Sequence, residues 1–340
     1  TISDNNSGLG GGIYNQAGTL NVTGSTVAGN TASNSSGNAN GGGIFIVVGS
    51  TATITNSAIV SNTASSSGVS GSSSGGGISG SATITNSTIS GNQALAFPTG
   101  AGSATGGGIS GGGTLTNVTI ANNFANSNGI AIGGGINVVS PTTIIRNSIV
   151  ANNTATINPD ISGAFTSQGN NLVRNRSGSS GYIASDLPDG TDPLLDVLKN
   201  NGGLSATHAL LAGSPAIDAG NNSFATGAND QRGPGFARIF GSAVDIGAFE
   251  VQGATAALVS IDGRVKTASG QGVSKAQVWI TNMEGARCFT PTNSFGFYRF
   301  EGIPAGETYV FDVHHKRYSF VSQVLSVNEE TNGLNFTAFP

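Results

Sequence analysis

Charge is what this sequence most lacks. Asp, Glu, Lys and Arg make up 9% of its 340 residues, against about 25% in an ordinary soluble domain. Scarce charge combined with 37% hydrophobic residues excludes the disordered class, which pairs low hydrophobicity with high net charge. A net charge of −4 is too small to attract nucleic acid or an anionic membrane surface. One cysteine, Cys288, excludes an internal disulfide framework. With no base near it in sequence, it is expected to be a buried thiol rather than a nucleophile. No apolar run approaches the ~20 residues that cross a bilayer, so no membrane span is expected. Three histidines do not make a convincing zinc site. His314 and His315 are adjacent in an expected strand and so point to opposite faces, and His208 reads as a structural donor. Neither an initiator Met nor a leader opens the chain at Thr1; the expectation is a removed leader or a start further upstream.

Glycine, by contrast, is abundant, at 54 residues. The phrase "GGGI" ends at Ile13, Ile44, Ile78, Ile109 and Ile136, with spacings of 31, 34, 31 and 27. A second phrase follows each one: "TLNVTGSTVAGN", "ATITNSAIVSN", "ATITNSTISGN", "TLTNVTIANN" and "TIIRNSIVANN". Within it Asn56, Asn86, Asn117 and Asn147 each stand six residues before a second asparagine. Self-similarity at this period marks a repeat architecture. Short strands between Gly and Asn corners, with no 3.6-residue apolar period, argue against helices. They fit a right-handed parallel β-helix, one coil per repeat, with coils pairing at roughly 4.8 Å. A Gly/Ser linker is the alternative, but a linker needs no register.

In such a coil Gly and Asn stand at bends that often need φ > 0. Ile54, Ile84, Leu115 and Ile145 should stack inward as one aliphatic ladder, and Val27, Ile59, Ile89, Ile120 and Val150 as a second. The asparagines of both positions, Asn56, Asn86, Asn117 and Asn147 among them, are expected to line up as amide ladders. The stretches before each GGGI, such as Ala64 to Ser74, read as loops. "TISDNN" at Thr1 to Asn6 matches "TISGNQ" at Thr88 to Gln93, which puts Ile2 in the place of Ile89. A coil left open at Thr1 and Ile2 would expose unpaired backbone groups, so an upstream segment or another copy is expected to cover it.

From Ala155 the repeat degrades into one or two irregular coils. The run Asp186 to Glu250 contains "NNGGLSATHALLAGSPAIDAG", "DQRG" and "DIGAFE". Through these phrases it resembles the C-terminal module of bacterial choice-of-anchor Q domain surface proteins. The repeats upstream are similar to polymorphic outer-membrane and autotransporter passenger β-helices. The resemblance implies extracellular display on a right-handed β-helix and brings no catalytic residues with it. After the linker "QGATAA", Leu258 to Pro340 carries seven basic and seven acidic residues and alternating strands separated by turn signals. A small antiparallel β-sandwich is expected. Its phrases "GRVKTASGQGVSKAQVWI", "NSFGFYRFEGIPAGETYVFDV" and "KRYSF" resemble the carboxypeptidase regulatory-like (transthyretin-like) domain, which implies a non-catalytic accessory or adhesion module. Trp279 and the phenylalanines are expected in its core, the alternative being a platform for sugar rings. The expected domains are therefore β-helix repeats over 1–185, a β-helix C-terminal module over 186–253, and the sandwich over 254–340.

Many parallel β-helices cleave polysaccharides, and such enzymes need clustered carboxylates on one face. Between Thr1 and Val150 the formal charges are Asp4 and Arg146, near opposite ends of the repeats, so a catalytic cleft on these coils is not expected. Acids gather later, at Asp186, Asp189, Asp192, Asp196, Asp218, Asp230, Asp245 and Glu250, with Arg232 and Arg238 among them. Asp218, Asp230, Arg232 and Asp245 read as a hydrogen-bonded clamp closing the end of the β-helix. The alternatives are a Ca²⁺ site using Asp218, Asp230 and Asp245, or a hydrolytic site, which lacks a nucleophile–base pair. No catalytic residue and no cofactor is expected. The function expected is a secreted, cell-surface structural rod that joins head to tail through Thr1 and Ile2, since non-closing heterologous contacts make filaments. An adhesin binding glycan or surface protein through the coil loops, and a polysaccharide-degrading enzyme, are the alternatives.

Overall fold

The isoleucine that closes each glycine phrase opens a strand in the computed structural model, and that strand lies parallel to its counterpart one repeat away. The structure describes residues 1–97, 102–140, 142–252, 258–283 and 285–339; most of the expected linker, 253–257, lies outside the described residues. Two compact units result, Thr1–Val251 and Gln252–Pro340, so residues 186–251 share a unit with the coils. Both units are β-structure. Among the described residues the helical element is one 3₁₀ turn, Asn222–Phe224, and no helix is long and apolar enough to cross a membrane.

Three aliphatic ladders run through the coils. Val22, Ile54, Ile84, Leu115 and Ile145 are successive partners in register. Ile2, Val27, Ile59, Ile89, Ile120, Val150 and Val173 form a second series. The GGGI isoleucines themselves supply a third, from Ile13 through Ile44, Ile78, Ile109 and Ile136 to Ile161. These residues form one apolar interior, on which the half-buried Ile2 and Ile13 also pack. Each fully buried Ile or Leu contributes about 1.5–3 kcal/mol before conformational entropy is counted.

Part of the expected loops is strand. Thr63–Ser66 belongs to a five-stranded parallel sheet with Asn6–Ser7, Thr31–Asn34, Gln93–Ala96 and Phe124–Ser127. Ser73–Ser74 joins a second sheet with Ala39–Asn40, Ser103–Thr105 and Ile130–Ile132. Alanines and serines alternate there, too small to announce a core, yet Ala64, Ala94, Ala96, Ala104 and Ala131 are buried. Small side chains let these walls close on one another.

Backbone crowds all three glycines of one phrase: a Cβ on Gly75 would lie 2.1 Å from Ile78 O, and one on Gly77 2.7 Å from Gly108 O. Gly75 has φ +64, a bend that side chains rarely adopt. A Cβ on Gly76 would lie 2.3 Å from the carbonyl carbon and oxygen of Gln93. A Cβ on Gly77 would press on the Asn92 side-chain amide at 3.0 Å.

That amide belongs to a ladder running through the second asparagine of each pair. Asn30, Asn62, Asn92 and Asn123 each donate both the backbone N–H and Nδ2 to Oδ1 of the next, at 2.9–3.0 Å. The ladder expected at Asn56, Asn86, Asn117 and Asn147 does not form. These four have φ between +45 and +53, the left-handed corner conformation that asparagine tolerates. The side chains of Asn86, Asn117 and Asn147 instead reach carbonyls of residues 221–229.

The irregular coils after Ala155 continue the stack: Ile161–Ala164 pairs with Ile136–Val138, and Ser179–Ser180 pairs with Ile161–Ala164. Phe165 is buried there, with Tyr182 edge-on at 5.1 Å and the Arg176 guanidinium 4.0 Å from the Tyr182 ring centre. The second unit packs a three-stranded sheet, Phe297–Pro304, Leu258–Lys266 and Phe336–Thr337, against a four-stranded one, Arg287–Pro291, Gln277–Asn282, Glu307–His314 and Gln323–Val327. Pairing is antiparallel except between Leu258–Lys266 and Phe336–Thr337, which are parallel.

Candidate functional site

Residues 205–250 lie along the side of the coils, which corrects the expectation of a clamp across their end. The contacts climb the stack. Asn86 Nδ2 donates to Thr226 O at 3.0 Å, Asn117 Nδ2 to Phe224 O at 2.9 Å, and Asn147 Nδ2 to Asn221 O at 3.0 Å. Thr88 Oγ1 donates to Gln231 Oε1 at 2.6 Å, and the Ala248 N–H donates to Thr119 Oγ1 at 3.0 Å. His208 is buried. Its Nδ1 lies 2.7 Å from the Asp196 carbonyl, which can only accept, so Nε2 is left to accept from Ser90 Oγ at 2.9 Å. Burial holds the His208 pKa below its ordinary value, against the opposing pull of that carbonyl and of the Asp196 charge.

Behind this seam sits a buried ionic group. Arg232 pairs with Asp230 at 2.7 Å, its guanidinium 3.9 and 3.8 Å from the ring centres of Phe236 and Phe249. Arg238 pairs with Glu250 at 3.0 Å. Glu250 also accepts the N–H groups of Phe240 and Asp245, yet burial pushes its carboxyl up to about 7. A perturbed carboxyl can mark a catalyst. Here it is fully buried, and its oxygens are engaged by Arg238 and backbone donors. Asp245 accepts from the Asp218 and Val251 N–H groups, and Asp218 from those of Ser242 and Ala243. The calcium alternative finds no such site: among the described residues no group of three or more His, Cys, Asp or Glu side chains could hold a metal. Asp218, Asp230, Arg232 and Asp245 fold this segment onto the flank.

Two carboxylates close polar ladders, Asp160, which drew no notice in the sequence, and Asp186, which stood there only as one of the gathered acids. Asp160 Oδ1 accepts both donors of Asn153, and Asp186 Oδ1 accepts the N–H and Nδ2 of Asn171. No asparagine period marks them: Asp160 lies one residue before Ile161, beside Gly135 of the preceding coil, and only seven residues after Asn153.

The sandwich departs from three expectations. Trp279 is half-buried outside the core, its ring 4.7 Å from the half-exposed Phe289. The reason is alternation: Val278 and Ile280 take the inner face of their strand. Cys288 is exposed, on the strand Arg287–Pro291, which has a partner on one side only. His314 ends its strand, so alternation does not carry over to His315, and both line one concavity with Ser274, Lys275, Gln277 and Lys316.

Fold and site thus define a parallel β-solenoid, with a segment bonded along its side, followed by a β-sandwich. Residues 260–338 match the family model of the carboxypeptidase regulatory-like domain. No curated protein matches the chain.

Proposed function

We propose that this is a non-enzymatic structural protein of a bacterial surface, in which the coils are a stiff spacer and the sandwich a contact module. The observation that carries the reading is the uninterrupted register of three aliphatic ladders and one amide ladder, all side chains turned inward in support of the stack. A β-solenoid with a carboxypeptidase regulatory-like domain is compatible with that role.

Head-to-tail joining is the finer form of the proposal. Six rungs, from Asn5 to Asn153, rise about 24 Å at ~4.8 Å per step. The strands Ile2–Ser3, Ile13–Asn15 and Thr19–Thr23 each pair on one side, and a second copy docking there would add backbone pairs or apolar stacking. Because Asp160 closes the amide ladder at the other end, the joint would not continue that ladder.

Negative-stain imaging and sedimentation of the purified chain over a wide concentration range test the joining. Filaments or rising mass are expected; a monomer at every concentration overturns the fibre. Release of reducing ends from a polysaccharide by the wild type, lost in Asp218→Ala or Asp245→Ala, would overturn the non-enzymatic reading.

A further inference from the structure

The sandwich gathers cations at one end of its four-stranded sheet. Lys275, His314, His315 and Lys316, with Ser274 and Gln277, line one concavity of about 600 Å³, and no acidic side chain lines it. Lys275, His314 and Lys316 are exposed. Among the described residues neither lysine pairs with a carboxylate. Asp312, two positions before His314 on the same face, instead accepts from Ser322 Oγ.

Lys275 is held there at a conformational cost. Its φ is +58, a left-handed position that favours Gly or Asn and costs other residues roughly 1–2 kcal/mol. Four hydrogen bonds to the buried Thr292 fix the turn. The Lys275 N–H donates to Thr292 O at 3.1 Å, and the Thr292 N–H to Ala276 O at 2.8 Å. The Ala276 N–H donates to Thr292 Oγ1 at 2.9 Å, and that hydroxyl donates to Val273 O at 2.7 Å. The turn itself would be served better by glycine, and strained positions of this kind cluster at ligand clamps. Alongside lie the aromatic rings. Trp279 stands edge-on to His314 at 6.3 Å and against Phe289 at 4.7 Å.

We propose that this notch binds the carboxylate or sulfate groups of an acidic polysaccharide. Lys275 and Lys316, with His314 and Gln277, receive the acid group, while Trp279 and Phe289 receive the apolar face of a neighbouring sugar ring. A sparsely charged glycan suits one cationic notch beside an aromatic pair. A densely charged nucleic acid would gain one contact there and meet the domain's carboxylates elsewhere. This inference goes beyond the structural role and holds whether or not copies join.

Affinity electrophoresis of the full chain through gels containing hyaluronan, with a carboxylate on every second sugar, κ-carrageenan, with a sulfate on every second sugar, or neutral dextran tests it. Retardation by at least one acidic polymer is expected, weakening as salt rises, and the pair of acidic gels tells carboxylate from sulfate recognition. Lys275→Gly relieves the strained turn while removing the charge. It should melt at the same temperature or higher yet bind about tenfold more weakly, the loss of one charge-assisted contact. Lys316→Ser should weaken binding similarly. No retardation at low salt, equal retardation by neutral dextran, unchanged binding by Lys275→Gly, or tighter binding of a DNA oligonucleotide would each overturn the proposal.

Discussion

Asn153 donates both its backbone N–H and its side-chain Nδ2 to a single oxygen of Asp160, at 3.1 and 2.8 Å. Every amide before it in the ladder also gives and receives, but Asp160 only receives: its other oxygen accepts the Asn175 N–H at 2.9 Å. An ionised carboxylate is an acceptor without donors, which is what the last member of a directional ladder requires. Burial nonetheless pushes the Asp160 carboxyl above its ordinary value. Asp160→Asn should therefore destabilise the first unit by about 1–3 kcal/mol, because the new NH₂ group would face the Asn175 donor. Asp160→Ala, which leaves the Asn153 and Asn175 N–H groups without an acceptor and Asn153 Nδ2 with only the Ile120 and Ala151 carbonyls, should cost more. Denaturant midpoints compare the two, and equal losses would show that the carboxylate is not acting as a terminator.

The glycines of the coil should separate by mechanism. A Cβ on Gly76 meets the Gln93 backbone across its own coil at 2.3 Å, whereas Gly49, at φ +92, faces open space. Gly49→Ala bears only the left-handed strain, about 1–2 kcal/mol. Gly76→Ala must force two walls of the coil apart and is expected to abolish soluble protein. Yield and melting temperature of the two variants decide between crowding and backbone freedom as the reason for the glycine phrase.

The coil was legible in the sequence because its constraints repeat. Ile54, Ile84 and Leu115 recur at matching places, and the register that spacing implied is the register found. The two asparagines of each pair were not told apart, since spacing alone does not reveal which one has φ > 0. Position 61 holds Ser and position 91 holds Gly, both left-handed; the common feature of that corner is a backbone angle rather than a residue type. The flank segment was illegible for another reason. Its contacts, such as Asn86 with Thr226 and Thr88 with Gln231, join residues about 140 apart and leave no periodic trace. Trp279 was misplaced because aromatic character outweighed strand parity, although Val278 and Ile280 already claimed the inner face.

Arg232 and Asp230 should be worth more together than apart. Arg232→Met alone leaves Asp230 buried without its cation, an arrangement that costs about 3–5 kcal/mol. Adding Asp230→Asn removes the stranded charge, although its one oxygen can serve only one of the Arg232 and Glu250 N–H groups, which Asp230 accepts on separate oxygens at 2.8 Å each. The double variant is expected to be more stable than Arg232→Met, with methionine filling the space between Phe236 and Phe249. A double variant weaker by the sum of the single losses would mean that the two residues act independently.

His208 gives the first unit a pH dependence whose sign follows from its burial. Its folded pKa lies below the ordinary value, because desolvation penalises the imidazolium. The unfolded chain therefore takes up a proton near pH 6.5 that the folded chain resists. The stabilisation is present in full above about pH 6.5 and is lost as pH falls toward the folded value, by at most about 1.4 kcal/mol per pH unit. Glu250 and Asp245 oppose this trend. Their folded pKa values are raised, so their contribution is greatest in acid and fades as pH rises through those values. Comparison with a variant isolates the histidine. His208→Gln keeps hydrogen-bonding capacity toward Ser90 and Asp196 without a titrating ring, and its loss of stability between pH 7.5 and pH 5 should be smaller than that of the wild type. Parallel melting curves for the two proteins across that interval would mean that His208 takes up its proton equally in the folded and unfolded chain and that its seam with Ser90 carries no pH dependence.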